Sequence, residues 1–153
     1  MKVVFKREII PIVKPFDEVV VELLQQPKTV EKEITLNDGT KKSIIDLSIL
    51  VKPVKGKFES VTEKVKVKVK SGEIIEAKKY DAAELGDKVV MKIPNVVYDV
   101  LSKLWESKEI GEGTRIKIIA VKKQGKTYIN EIAVLDDNEV SQEKTEENLS
   151  TKK

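Results

Sequence analysis

Pro94-Asn95-Val96-Val97-Tyr98-Asp99-Val100-Leu101-Ser102-Lys103-Leu104-Trp105-Glu106-Ser107 reads as a helix in a chain that elsewhere alternates like strand. Proline is favoured in the first turn of a helix, where its missing N–H costs nothing. At about 100° per residue, Val97, Val100, Leu101 and Leu104 fall on one face, flanked by Tyr98 and Trp105. Asp99, Ser102, Lys103 and Glu106 fall opposite. Gly111 and Gly113 end the connection, and two strands follow, 114–122 and 127–135, joined through Lys123-Gln124-Gly125-Lys126 as a hairpin.

Upstream of the helix the period is two. Residues 17–24 are rich in β-branched residues, and a second strand spans about 29–36. Asn37-Asp38-Gly39-Thr40 follows, and Asp-Gly between two such runs is a strong hairpin signal. In the returning strand, 42–52, Ile45, Leu47, Ile49 and Val51 point one way, with Ile44, Asp46, Ser48, Leu50 and Lys52 the other. Pro53 and Gly56 are expected to end it. Lys64-Val65-Lys66-Val67-Lys68-Val69-Lys70 is the most regular segment, with its valines on one face and its lysines on the other. Ser71-Gly72 turns the chain into 73–80, a loop or helical turn covers 81–87, and 88–93 is a short strand. Residues 1–15, with Pro11 and Pro15, suit an edge strand or an extended arm.

Strands, then one helix, then a closing hairpin predict a mainly-β fold with one α-helix. A helix before the last two strands is the order of the OB-fold, a five-stranded Greek-key barrel. The expectation is an OB-like barrel domain over 1–135, with residues 58–87 as an inserted β-hairpin. Residues 136–153 have little apolar content and no period, which predicts a disordered tail.

Composition excludes several chemistries. Among 153 residues there is no cysteine and no histidine. Disulfides, thiolate metal sites and cysteine nucleophiles are out, and so are the commonest metal ligand and the commonest neutral-pH base. Asp81, Glu84 and Asp87 read as a solvated loop, and Gly111-x-Gly113 follows a helix where a phosphate loop would precede one. No enzyme, no cofactor and no metal site is expected. No signal peptide and no run of about 20 uncharged apolar residues is found, so the expected location is cytoplasmic and off the membrane. Abundant Lys and Glu with little Asn, Gln, Cys or His suggest a thermophile, either an archaeon or an archaeal virus.

The net charge of +3 is unevenly spread. Residues 136–153 hold six carboxylates against three lysines, a net of −3, which leaves +6 on residues 1–135. A lysine row with nearby aromatics suits a phosphate backbone and stacked bases. The same row on an edge strand also suits a device against edge-to-edge aggregation. The candidate residues are Lys64, Lys66, Lys68, Lys70, Phe58, Tyr80, Arg115, Lys117, Lys122, Lys123, Lys126 and Tyr128. Arginine occurs only at Arg7 and Arg115, so little sequence preference is expected. A tethered acidic tail can compete with phosphate or dock partner proteins.

Val89-Val90-Met91-Lys92-Ile93-Pro94-Asn95-Val96-Val97-Tyr98-Asp99-Val100-Leu101, then Gly113-Thr114-Arg115-Ile116-Lys117-Ile118-Ile119, then Gly125-Lys126-Thr127-Tyr128-Ile129-Asn130-Glu131-Ile132-Ala133-Val134, carry a resemblance. Over residues 88–135 the chain resembles OB-fold single-stranded-DNA-binding proteins of archaea and their viruses. The resemblance implies single-stranded nucleic-acid binding on the barrel face, often with an acidic tail. Taken with the charge pattern, the expected function is non-specific binding, DNA before RNA, in replication, recombination or repair, with replication or repair proteins as candidate partners of the acidic tail. The chain departs from that pattern in the segment 58–87, in its few aromatics, and in a tail ending Lys152-Lys153. The alternative is a protein–protein interaction or viral assembly protein.

Overall fold

A computed structural model describes residues 1–4 and 9–135. The expected tail, 136–153, lies outside the described residues. The chain forms β1 (Ile12–Leu23), β2 (Lys28–Thr35), β3 (Lys41–Val69), β4 (Gly72–Asp81), a 3-10 turn (Ala82–Glu84), β5 (Val89–Lys92), α1 (Asn95–Glu106), β6 (Arg115–Lys123) and β7 (Lys126–Leu135). Over the described residues it is mainly β with one α-helix, as the hydrophobic periods predict. Among the described residues no helix is long and apolar enough to cross a membrane.

β3 organises the sheet. It does not stop at Pro53 and Gly56 but runs for 29 residues and pairs with four strands along its length. Its first third pairs with β2, its middle with β5 and β1, and its last third with β4. The two residues expected to break it fall at two register shifts of the β1–β3 pair: β1 carries the extra residues between Pro15 and Val19, and β3 carries one, Val54, opposite the step from Val20 to Val21. Bulges of this kind bend a strand and increase its twist without ending it. β1 continues the sheet to β6, and β6 to β7. The order is β2-β3-β5-β1-β6-β7, with β4 added on β3. Among the described residues β7 pairs with β6 alone, so the ladder is an open sheet.

The core sits where β1, β3, β5 and β6 cross. Val13, Val19, Val21 and Leu23 alternate along β1; Ile49, Val51 and Phe58 come from β3, Met91 from β5, and Ile116 and Ile118 from β6. Helix α1 caps this cluster with Val97 and Leu101, while Tyr98, Leu104 and Trp105 pack at its rim. Val100, expected on the buried face, is 41% exposed. The helix is rotated so that its inner stripe is narrower than the period alone suggests. The outer thirds of β3 leave the core: the β2–β3 and β3–β4 pairs form two-stranded ribbons, and every residue of β2 is exposed.

Candidate nucleic-acid interface

Cross-strand register sorts the β3–β4 ribbon into two faces. Val65 lies opposite Glu76, Val67 opposite Ile74 and Val69 opposite Gly72; Lys64 lies opposite Ala77, Lys66 opposite Ile75 and Lys68 opposite Glu73. Directly opposed residues share a face. Lys64, Lys66 and Lys68 therefore stand together, two residues apart and roughly 7 Å from one to the next. Lys70 lies in the turn beyond them.

Alternation along β4 carries this face onward from Ile75 and Ala77 to Lys79, which lies opposite Glu59. Here the ribbon joins a built cluster. The Lys79 ammonium stands 4.6 Å from the centre of the Phe16 ring, and that of Lys122 stands 4.7 Å from it. Phe16 reaches this place because β1 bulges between Pro15 and Val19. Two ammoniums against one ring are cation–π contacts.

Glu59 anchors the cluster and is 1% exposed. Its carboxylate takes a 2.7 Å hydrogen bond from Lys122, an ion pair with Lys14 at 3.2 Å and a 3.3 Å hydrogen bond from the Thr127 hydroxyl. One buried acid thus ties β1, β3, β6 and β7 together. Burial pushes the Glu59 carboxyl up, but the hydrogen bonds and charges of Lys122 and Lys14 outweigh it and hold the group below the usual carboxylate range.

A depressed carboxyl stabilises the fold at neutral pH and loses that contribution in acid. The unfolded group protonates near 4.5, so the contribution is whole above that pH and drains away as pH falls towards the lower folded value. Glu59→Gln is expected to cost about 2 kcal/mol at pH 7. It should also flatten the fall of the thermal midpoint below pH 4.5, read by circular dichroism. A variant whose midpoint tracks the wild type in parallel through the acid range would show that Glu59 does not supply the slope.

The other expected site residues are scattered. Phe58 is wholly buried, with no surface to offer a base; the assignment of Phe58 to stacking is therefore corrected. Tyr80 lies opposite Phe58, so alternation on β4 puts it on the face away from the lysine row. It is half-buried, its hydroxyl donates to Glu63, and Lys78 lies 5.0 Å from its ring centre. Arg115 and Lys117 lie on the outer face of β6, paired to Glu22 at 3.4 Å and Glu18 at 2.9 Å. Lys122 points the other way, to Glu59. Lys123 and Lys126 oppose each other at the end of the β6–β7 hairpin, with Tyr128, 50% exposed, two residues beyond Lys126.

Sequence reasoning missed Lys14, Phe16, Glu59 and Lys79 as one cluster. Glu59 lies 63 residues from Lys122 and 68 from Thr127, and no local pattern marks it. No group of three or more His, Cys, Asp or Glu placed to hold a metal ion occurs among the described residues. No family model matches the chain, and no curated protein and no solved structure matches it.

Proposed function

We propose that this protein binds single-stranded nucleic acid without sequence preference, DNA before RNA, along the lysine face of the β3–β4 ribbon and onto Lys79. The observation that carries the reading is Lys64, Lys66 and Lys68 in one exposed row that leads, along one face of β4, into a cationic cluster. Lysine is a point charge on a flexible stem, suited to tracking phosphates and poor at bidentate reading of guanine. A helix ahead of the final hairpin is the chain order of an OB-fold, and the open sheet is read as an OB-like one whose last strand does not close onto the others. Among the described residues Tyr128 is the most exposed aromatic available for stacking, so affinity rests on charge more than on stacked bases.

The test is a titration of labelled single-stranded and duplex oligonucleotides at several salt concentrations. Neutralising three phosphate contacts on a single strand should reduce the log–log salt slope by about 2. The triple variant Lys64→Gln, Lys66→Gln, Lys68→Gln is accordingly expected to bind about 100-fold more weakly at low salt. Binding by the wild type that the triple variant fully retains would move the site elsewhere. No binding by the wild type at low salt would end the nucleic-acid reading.

A further inference from the structure

The β2–β3 ribbon has the same layout as the lysine face, with the charge reversed. On one of its faces Glu31 lies opposite Ile45 and Glu33 opposite Ser43, with Lys41 nearer the tip. On the lysine face Lys66 lies opposite Ile75 and Lys68 opposite Glu73. In both ribbons the main charges stand two residues apart on the strand running towards the tip, and an isoleucine lies directly across from one of them. Ile45 and Ile75 are each 67% exposed. The first face holds two glutamates against one lysine, a net of −1; the second holds Lys64, Lys66 and Lys68 against Glu73, a net of +2.

A two-stranded ribbon is marginally stable in water until one face is covered. Within the chain the two ribbons are opposite ends of β3, and among the described residues neither β2 nor β4 pairs with any strand but β3. We infer that the acidic face of the β2–β3 ribbon in one copy packs on the lysine face of the β3–β4 ribbon in a second copy, Ile45 against Ile75 and glutamates against lysines. Two different patches meet, so the contact is heterologous, and repetition gives a ring or an open chain of copies. The exposed isoleucines supply apolar burial, while the opposed charges set which face meets which. The inference needs the lysine face but not its phosphate ligand, so it does not depend on the nucleic-acid reading. If both hold, phosphate and a neighbour's glutamates compete for one surface.

The experiment is sedimentation velocity on the nuclease-treated full chain over a range of concentration and salt. The expected result is a species heavier than the 17.3 kDa protomer that grows with concentration and weakens with salt. The charge reversals K64E/K66E/K68E and E31K/E33K lie on exposed ribbon positions, and each should shift the midpoint of association at least tenfold upward. Mixed in equal amounts, the two variants should associate again, because each then meets a face of opposite charge. A wild-type protomer at every concentration would overturn the inference, as would association abolished by nuclease. Reversed variants that associate like the wild type, or that stay apart when mixed while keeping wild-type circular dichroism, would overturn it too. Should a multiple variant lose its β-sheet spectrum, Lys66→Glu and Glu31→Lys give the same test singly.

Discussion

Replacing Gly56 by alanine is expected to lower the thermal midpoint by about 10 °C or more, the cost of roughly 3–5 kcal/mol in a domain of this length. Gly56 has φ +103°, a conformation that an L side chain rarely adopts. A Cβ there would stand 2.3 Å from the carbonyl oxygen of Glu18 and 2.8 Å from Cα of Val19. Both are backbone atoms of β1, so no rotamer change relieves the overlap. Gly56 pairs with Val19 just where β1 resumes its register after the bulge. Moving the strands apart at that point opens the valine core on one side and shifts Phe16 on the other. Gly125→Ala separates the two causes: its φ is +78°, but nothing lies within 4 Å of the added carbon. That variant should cost about 1 kcal/mol, the conformational strain alone. Equal losses for the two substitutions would mean that the close approach of β1 contributes nothing.

How far the sequence could be read follows from the range of its signals. Period-two alternation in 42–52 assigns Ile45, Leu47, Ile49 and Val51 to one face correctly. It cannot say that burial stops partway along it, with Ile49 and Val51 in the core and Ile45 67% exposed. That boundary is set by where β1 and β5 pair with β3, a contact with no local trace. Pro53 and Gly56 favour a strand end by residue preference. The fold overrides them because bulges in the β1–β3 pair, one on each strand, absorb the irregularity. The lysine row is legible because strict alternation within one strand places it, with no distant partner needed. The Glu59 cluster is not: Lys14, Glu59, Lys79 and Lys122 come from four strands, and each alone reads as surface charge.

Truncating Phe58 to alanine is expected to destabilise the fold by about 3–5 kcal/mol, in line with deleting a buried aromatic ring. Phe58 is wholly buried and lies opposite both Pro15 of β1 and Tyr80 of β4, at the point where β3 passes from the core into the ribbon. Removing the ring leaves a void between three strands, and the void cannot collapse freely because the next residue, Glu59, is fixed by Lys14, Lys122 and Thr127. Urea denaturation should show a lower midpoint with an unchanged slope, since the surface exposed on unfolding is nearly the same. A cost under about 1 kcal/mol would contradict a core position. Phe58→Leu keeps most of the volume and should cost less than Phe58→Ala. It also decides whether the ring acts as a stacking partner. A folded Leu variant that binds single-stranded DNA as the wild type does leaves binding to the lysines. A large loss of affinity at unchanged stability would return Phe58 to the interface.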